Sequence, residues 1–269
     1  MKYLLPILLL GFISTSALGQ DYALNQLENS PRHHEWVELE SSGRTLHNFV
    51  AFPERADKAP VVIVIHENRG LNDWARSFAD QLAEQGFIAI APDLISNTVE
   101  GFEKTKDFPT SDEARSAIYA LDPDMVTTDL QNVLAYANTI DAGNGTIAVV
   151  GFCWGGSQSF RFATNAGSSI NAALVFYGTG PEEAAEYEQI EVPVYGFYGG
   201  NDNRVNATIE ASETAMSEFD KTYEYEIYDG AGHAFMRSGD DPKLEADNAN
   251  KKARNASWRR LTTLLNNLK

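Results

Sequence analysis

The chain has 269 residues, 43% of them hydrophobic, with a formal net charge of −17 and a single cysteine. So acidic a surface argues against nucleic acid and anionic membranes as partners, because both are themselves negatively charged. A single cysteine excludes an internal disulfide, so stability must come from a packed core.

The N-terminus has the pattern of an export signal. Lys2 precedes the apolar run Leu4 to Ile13, and the small-x-small cleavage pattern Ala17-Leu18-Gly19 follows it. The run is too short to span a bilayer comfortably. We therefore predict that residues 1–19 are removed, that the protein is periplasmic or secreted, and that it makes no membrane contact afterwards. No linker, low-complexity tract or repeat divides residues 20–269, which are predicted to form a single domain.

Apolar, β-branched runs alternate with helical patterns downstream, which predicts an α/β fold with a mostly parallel sheet and helices on both faces. The predicted strands are residues 61–65, 87–91, 146–150, 172–177, 192–198 and 223–228, preceded by an antiparallel edge hairpin of residues 37–40 and 46–50. Apolar periodicity predicts helices over residues 74–85, 124–140, 157–165, 205–219 and 248–268.

The only cysteine, Cys153, lies in Gly151-Phe152-Cys153-Trp154-Gly155-Gly156, directly after the predicted strand 146–150. This G-x-nucleophile-x-G pattern is typical of a tight turn between a strand and a helix that exposes a nucleophile. Glycines suit such a turn because backbone segments can approach them closely. A buried structural cysteine is the commoner role of a lone thiol. The flanking glycines and the preceding strand favour the nucleophile.

A thiol nucleophile needs a base, and the base needs an acid to orient it. Asp202 and His233 each follow a predicted strand, and the order nucleophile, acid, histidine is that of α/β-hydrolases. Asp229 is the alternative orienting acid. All three predicted groups fall at the carboxyl ends of strands, where open α/β sheets build their sites. The other histidines are predicted to lie on the surface (His33, His34 and His47) or to be structural (His66).

The sequence contains no pattern typical of a metal or nucleotide site. There is no H-x-x-x-H or clustered Cys/His spacing, and no G-x-G-x-x-G or G-x-x-x-x-G-K loop follows a strand. We expect neither a metal nor another cofactor.

Several motifs together resemble the dienelactone hydrolase family over roughly residues 35–269. They fall in the family's order: His66-Glu67-Asn68-Arg69-Gly70, Ala91-Pro92-Asp93-Leu94, the Cys153 motif, Asp202 and Gly232-His233-Ala234-Phe235. The resemblance implies an α/β-hydrolase fold with a Cys153–His233–Asp202 triad. It also implies an oxyanion hole formed by the backbone N–H groups of Asn68 and Trp154, which would stabilise the charge on the attacked carbonyl oxygen.

The same resemblance assigns roles to three charged residues. Glu67 would control the protonation of the thiol until substrate displaces it; an ion pair with Arg69 is its alternative role. Arg237 follows His233 by four residues, as a substrate-carboxylate arginine does in the well-known lactone hydrolases, and a guanidinium suits that contact. Arg115 is a second candidate for substrate binding.

We therefore predict a cysteine-dependent hydrolase whose small-molecule substrate is a lactone or a small carboxylic ester. The sequence leaves the oligomeric state open. Two alternatives also stay open: a thiol redox or peroxide-reactive protein, although a resolving cysteine is absent, and a binding protein that keeps the fold without turnover.

Overall fold

The structure is a computed structural model that describes residues 21–268, so the predicted signal peptide lies outside the described residues. Its strands are β1 (His33–Ser41), β2 (Arg44–Phe52), β3 (Ala59–Ile65), β4 (Ile88–Pro92), β5 (Gly143–Phe152), β6 (Ala172–Phe176), β7 (Val194–Gly199) and β8 (Tyr223–Tyr228). Its helices are α1 (Asp21–Asn29), α2 (Asp73–Glu84), α3 (Ser111–Tyr119), α4 (Pro123–Ala137), α5 (Trp154–Ala163), α6 (Asn203–Asn206), α7 (Ile209–Glu218), α8 (Phe235–Ser238) and α9 (Ala249–Asn267). Within this range, no helix is long and apolar enough to cross a membrane.

The eight strands form one sheet in the order β1-β2-β4-β3-β5-β6-β7-β8. The strands β3 to β8 run parallel to one another, whereas β2 runs antiparallel to both β1 and β4. The predicted mostly parallel sheet and the edge hairpin are therefore confirmed. The hairpin turn is Ser42-Gly43, with φ of 52° and 74°, the left-handed geometry that a two-residue hairpin turn requires.

The central strands of the sheet are buried on both faces because nearly all of their side chains are apolar. Val62 and Val64 pack on one face with residues of α2 and α9. Val61, Ile63 and Ile65 pack on the other face with residues of α4 and α5. Alternate side chains of one strand thus enter two separate cores, as the period of two of a β-strand dictates. Helices cover both faces, as predicted.

The N-terminal segment is attached to the domain through Asp80 of α2, whose side chain is fully buried. Both of its oxygens accept hydrogen bonds from Arg32, at 2.7 and 2.6 Å. Ser30 and Gln26 also donate to this carboxylate, and the His34 ring contacts it at 2.8 Å. Five contacts on one buried carboxylate fix the chain between α1 and β1 against α2.

The structure differs from the sequence predictions at several elements. The prediction of one helix over residues 205–219 is wrong, because α6 ends at Asn206 and a second helix, α7, begins at Ile209. Between the two helices, the backbone N–H and the hydroxyl of Thr208 both donate to the Val205 carbonyl, which forms a turn there. The helices α1, α3 and α8 were not predicted. His47 is buried rather than on the surface, because β2 lies between β1 and β4 in the sheet.

Candidate active site

Cys153 occupies the single-residue turn between β5 and α5. Its φ of 56° and ψ of −117° are strained for a residue with a side chain. A Cβ at Gly151 would lie 1.9 Å from the carbonyl oxygen of Gly155, and one at Gly155 would lie 2.3 Å from that of His66. Both positions therefore require glycine. The Cys153 N–H donates to the Phe176 carbonyl at 3.0 Å, which ties the turn to the end of β6.

The predicted triad residues lie in hydrogen-bond contact at the carboxyl ends of three strands. His233 Nε2 is 3.1 Å from Cys153 Sγ, and His233 Nδ1 is 2.5 Å from Asp202 Oδ2. Asp202 follows β7 and is buried, and its other oxygen accepts from the Val205 N–H at 3.5 Å. The alternative orienting acid, Asp229, is exposed. Asp202 is therefore the carboxylate that contacts the imidazole.

The contacts of His233 control its protonation. Burial by itself lowers the pKa of this imidazole. The hydrogen bonds to Cys153 and Asp202, and the negative charges of these two groups, have the opposite and larger effect, so the pKa rises to about 9. The proton is thereby held between a sulfur and a carboxylate. An imidazole in this position can accept the proton of a thiol and later return it to another atom.

Glu67 follows β3 and is buried, with an exposed side-chain fraction of 3%. One of its oxygens accepts from Arg237 Nε at 2.7 Å, and the other accepts from the Tyr177 hydroxyl at 3.2 Å. The alternative ion pair with Arg69 is therefore wrong, and Arg237 takes that place. No hydrogen bond joins this carboxylate to the Cys153 sulfur among residues 21–268. Burial, together with the charge of Glu67, holds the pKa of Tyr177 well above its usual value.

The two predicted oxyanion donors border the same cavity as Cys153. Trp154 is the first residue of α5, where a helix provides no acceptor for the backbone N–H. The Asn68 side chain donates to the Tyr119 hydroxyl at 3.0 Å. His66 contacts the backbone or side chains next to both donors. Its ring stacks on Trp154, and its Nδ1 lies 2.8 Å from the carbonyl oxygen of Glu67, the residue before Asn68. Burial lowers the pKa of His66 to about 4, in agreement with its predicted structural role.

The cavity has a volume of about 630 Å³ and an unusual charge distribution for so acidic a chain. Four arginines line it, against two carboxylates: Arg69, Arg115, Arg204 and Arg237, and Glu67 and Asp112. The predicted substrate-binding residues Arg115 and Arg237 are both among them. The guanidinium of Arg115 lies 5.7 Å from the centre of the Tyr119 ring. Among the described residues, no group of three His, Cys, Asp or Glu side chains could hold a metal ion.

Sequence reasoning missed several lining residues: Tyr119, Ser157, Tyr177, Thr179 and Arg204. Tyr177, Thr179 and Arg204 lie within about five residues of the end of β6 or β7, so the rule that sites form at strand ends could have found them. Tyr119 had no such signal, because α3 lies in an irregular connection between β4 and α4. Ser157 lies on the first turn of α5, four residues after Cys153.

Comparison with known proteins decides the family. The family profile described as the dienelactone hydrolase family matches residues 46–269. The chain belongs to the dienelactone hydrolase family. It is 29% identical over 210 residues to a carboxymethylenebutenolidase of Pseudomonas putida, an alignment that covers 76% of this chain and 86% of the relative. The predicted resemblance and the predicted enzyme class, a hydrolase of this family, are confirmed.

Solved structures extend the comparison to the fold. A dienelactone hydrolase-like promiscuous phosphotriesterase from metagenomic libraries superposes with a TM-score of 0.72 at 24% identity, covering 88% of this chain and 98% of the other. An acylaminoacyl peptidase of Pyrococcus horikoshii superposes with a TM-score of 0.65 at 12% identity, covering 90% of this chain and 43% of the other. The chain therefore has the predicted α/β-hydrolase fold.

Proposed function

We propose that this protein hydrolyses a lactone or a small carboxylic ester with Cys153 as the nucleophile. The observation that carries the proposal is the continuous line of contacts from Cys153 Sγ through His233 to Asp202, at 3.1 and 2.5 Å, bordering a cavity of about 630 Å³. A nucleophile, a base and an orienting acid in this geometry are what acyl transfer requires. The carboxymethylenebutenolidase relative supports a lactone as one substrate type.

In the first half of the reaction, Cys153 Sγ forms a bond to the carbonyl carbon while His233 Nε2 holds the proton that the thiol has given up. The backbone N–H groups of Asn68 and Trp154 stabilise the resulting oxyanion. When the tetrahedral intermediate collapses, the C–O bond breaks and His233 gives its proton to the departing alkoxide. An acyl thioester remains on Cys153. In a lactone, the new alcohol stays attached to that acyl group.

In the second half, His233 removes a proton from a water molecule that attacks the thioester. The C–S bond breaks, the carboxylic acid leaves, and the proton returns to sulfur. Asp202 keeps Nδ1 protonated throughout, so that Nε2 is the nitrogen that exchanges protons with the thiol and the leaving group. No metal or other cofactor takes part in these steps.

Arg237 and Glu67 connect substrate binding to the thiol. Arg237 is held by Glu67 at 2.7 Å, with about a quarter of its side chain exposed, and both border the cavity. A substrate carboxylate that binds Arg237 competes with Glu67 for the same guanidinium. Release of the Glu67 carboxylate would then change the charge near Cys153 as substrate enters, which is the role in thiol control that we propose for Glu67.

The test is a panel of esters and lactones assayed with the parent protein and with Cys153→Ala. The proposal predicts hydrolysis by the parent and none above background by the variant. Turnover by Cys153→Ala at the parent rate would refute the cysteine nucleophile. Ligand binding without product over hours would instead identify a binding protein. A sulfenic acid formed by mild peroxide and reduced by a partner thiol, without an acyl adduct, would identify redox chemistry.

We also propose that the protein acts in the periplasm or outside the cell, as a single domain after removal of residues 1–19. The pattern at Lys2 and Ala17-Leu18-Gly19 supports this proposal. N-terminal sequencing of the protein purified from its own cells tests it. A mature chain that begins near Gln20 is expected, and an intact Met1 or Lys2 start would contradict it.

A further inference from the structure

The backbone N–H of Asn68, one of the two proposed oxyanion donors, belongs to the peptide group that joins Glu67 to Asn68. In a planar trans peptide the carbonyl and the N–H point in opposite directions, so the direction of one fixes that of the other. Among residues 21–268 there is no cis peptide bond, and the Asn68 N–H donates to no backbone acceptor. The groups that hold the Glu67 carbonyl therefore determine where this donor points.

Two donors hold the Glu67 carbonyl. The first is the His66 ring, which is fully buried and therefore neutral, because burial lowers its pKa to about 4. Its Nε2 accepts from the Leu94 N–H at 3.3 Å, so the ring proton lies on Nδ1, which donates to the Glu67 carbonyl at 2.8 Å. The second donor is the Gly70 N–H, at 3.2 Å, which closes a four-residue turn. The carbonyl is thus held on the interior side, and the Asn68 N–H faces the opposite side.

Thr105, in the connection between β4 and α3, holds the far end of this turn. Its hydroxyl oxygen accepts from the Leu71 N–H at 2.9 Å. Its side chain also packs directly against Gly70, since a Cβ at Gly70 would lie 2.2 Å from Thr105 Oγ1. These two contacts fix Gly70 in place, and with it the N–H that donates to the Glu67 carbonyl.

Asp93, which directly follows β4 and is buried, holds Thr105 in turn. Its Oδ2 accepts from the Thr105 N–H at 2.6 Å, and its Oδ1 accepts from the Thr105 hydroxyl at 2.7 Å. Because the hydroxyl proton is donated to Asp93, the hydroxyl oxygen is left to accept from Leu71. Thr105 is buried and does not line the cavity, so it can act on the reaction only through the turn that it holds.

We infer that Thr105, held by Asp93, is a positioning residue for the oxyanion hole. This inference rests on the proposed hydrolase function, because the oxyanion forms only in acyl transfer. Without the Thr105 hydroxyl, the Leu71 N–H loses its acceptor and Gly70 loses its anchor, so the Glu67–Asn68 peptide can rotate. A donor that no longer points at the oxyanion stabilises the transition state less. The loss therefore falls on kcat, whereas KM stays nearly unchanged.

A matched pair of variants tests the inference with phenyl acetate. Thr105→Val removes the hydroxyl at nearly constant shape and is expected to lower kcat roughly tenfold, with KM changed by less than about twofold. Thr105→Ser keeps the hydroxyl and should retain kcat within about twofold. Thr98→Val is the control, because Thr98 lies in the same connection but its hydroxyl donates to the Ile95 carbonyl, at 2.9 Å. It should leave kcat unchanged.

Alkylation by iodoacetamide separates a positioning role from general damage to the site. In that reaction Cys153 Sγ displaces iodide as the C–S bond forms, and no oxyanion develops. Because the chain has a single cysteine, the alkylation rate reports Cys153 alone. Thr105→Val is expected to keep the parent alkylation rate within about twofold while it loses kcat.

The other partner of the carbonyl provides a second pair of variants. His66→Phe removes the Nδ1 donor and should show the same loss of kcat without a loss of alkylation. His66→Asn can place an amide N–H near the position of Nδ1–H and should restore most of the lost kcat. Thr105→Ala also lacks the hydroxyl and is measured in the same way, so the inference can be judged even if Thr105→Val does not fold.

The outcomes of the two proposals are distinguishable. If phenyl acetate hydrolysis survives in Cys153→Ala, the nucleophile is wrong, and the positioning inference is withdrawn with it. If hydrolysis needs Cys153 while Thr105→Val and Thr105→Ala retain the parent kcat, the hydrolase proposal stands and the role of Thr105 is refuted. Equal losses of kcat and alkylation rate in these variants would also refute it, because they would show a merely structural role.

Discussion

Replacement of Asp202 by Asn tests how the active-site proton is held. The carboxylate contacts His233 Nδ1 at 2.5 Å, and the pKa of His233 rises from 6.5 to about 9 although burial lowers it. Cys153 and Asp202 each contribute a hydrogen bond and a charge to that rise. Because one of these two charges disappears in Asp202→Asn, we expect the pKa of the imidazole to fall by about 1 unit.

The assay is kcat/KM against pH with phenyl acetate. In the proposed mechanism the imidazolium is the acid that protonates the leaving group, so activity in the parent is expected to decline as pH rises through about 9. In Asp202→Asn the decline should begin about 1 unit lower. The maximum should fall roughly a hundredfold or more, because Nδ1 loses its orienting acceptor. Asp229→Asn is the control, since Asp229 is exposed. An alkaline limb at the same pH in Asp202→Asn would show that the Asp202 charge does not raise the pKa of His233.

Stability provides an independent readout of the same pKa. Because the folded-state pKa of His233 is raised, its contribution to the free energy of unfolding is fully present below pH 6.5 and is lost as pH rises through about 9. The stability difference between the parent and Asp202→Asn should therefore shrink over that interval. A difference that is constant from pH 6 to 10, measured by urea denaturation, would contradict the raised pKa.

Two further substitutions test other contacts. Asp80→Asn should lower the free energy of unfolding by about 3 kcal/mol, because it leaves the largely buried Arg32 guanidinium without its carboxylate partner. Asp73→Asn is the control, because Asp73 forms a partly exposed ion pair with Arg76; it should lower the free energy of unfolding by less than about 1 kcal/mol. Equal losses in urea denaturation would contradict this. Glu67→Gln should lower KM roughly fivefold for an ester with a free carboxylate, such as monophenyl succinate, because Arg237 is freed for the carboxylate of the substrate. An equal change for phenyl acetate would refute this explanation.

The contacts among the three proposed triad residues were predictable because these residues share one simple property. Cys153 and Asp202 each follow an apolar run, and His233 follows a run in which aromatic residues alternate with Glu. All three runs form parallel strands, and parallel strands end at the same edge of the sheet. The sequence pattern therefore indicated both the elements and their meeting point. Neither the apolar runs nor the Gly-rich turn depends on long-range side-chain packing.

Contacts between side chains from distant elements were not predictable in the same way. Glu67 and Arg237 were both selected, but their pairing depends on how α8 approaches β3, which no local pattern encodes. The helix α3 was missed because its apolar positions, Ala114, Ala117 and Ile118, are few and are surrounded by polar residues. Residues 205–219 were predicted to form one helix because their apolar periodicity is continuous. The hydrogen bonds from Thr208 to the Val205 carbonyl interrupt that helix, but they leave no trace in the periodicity.

Whether Cys153 carries the acyl group can be measured by intact-protein mass spectrometry after the reaction with an activated ester is quenched rapidly with acid. We expect a mass increase equal to the acyl group, located on the peptide that contains the only cysteine and lost on treatment with hydroxylamine. We expect no such adduct in Cys153→Ala. An adduct on another residue, or full turnover by Cys153→Ala, would show that Cys153 is not the nucleophile.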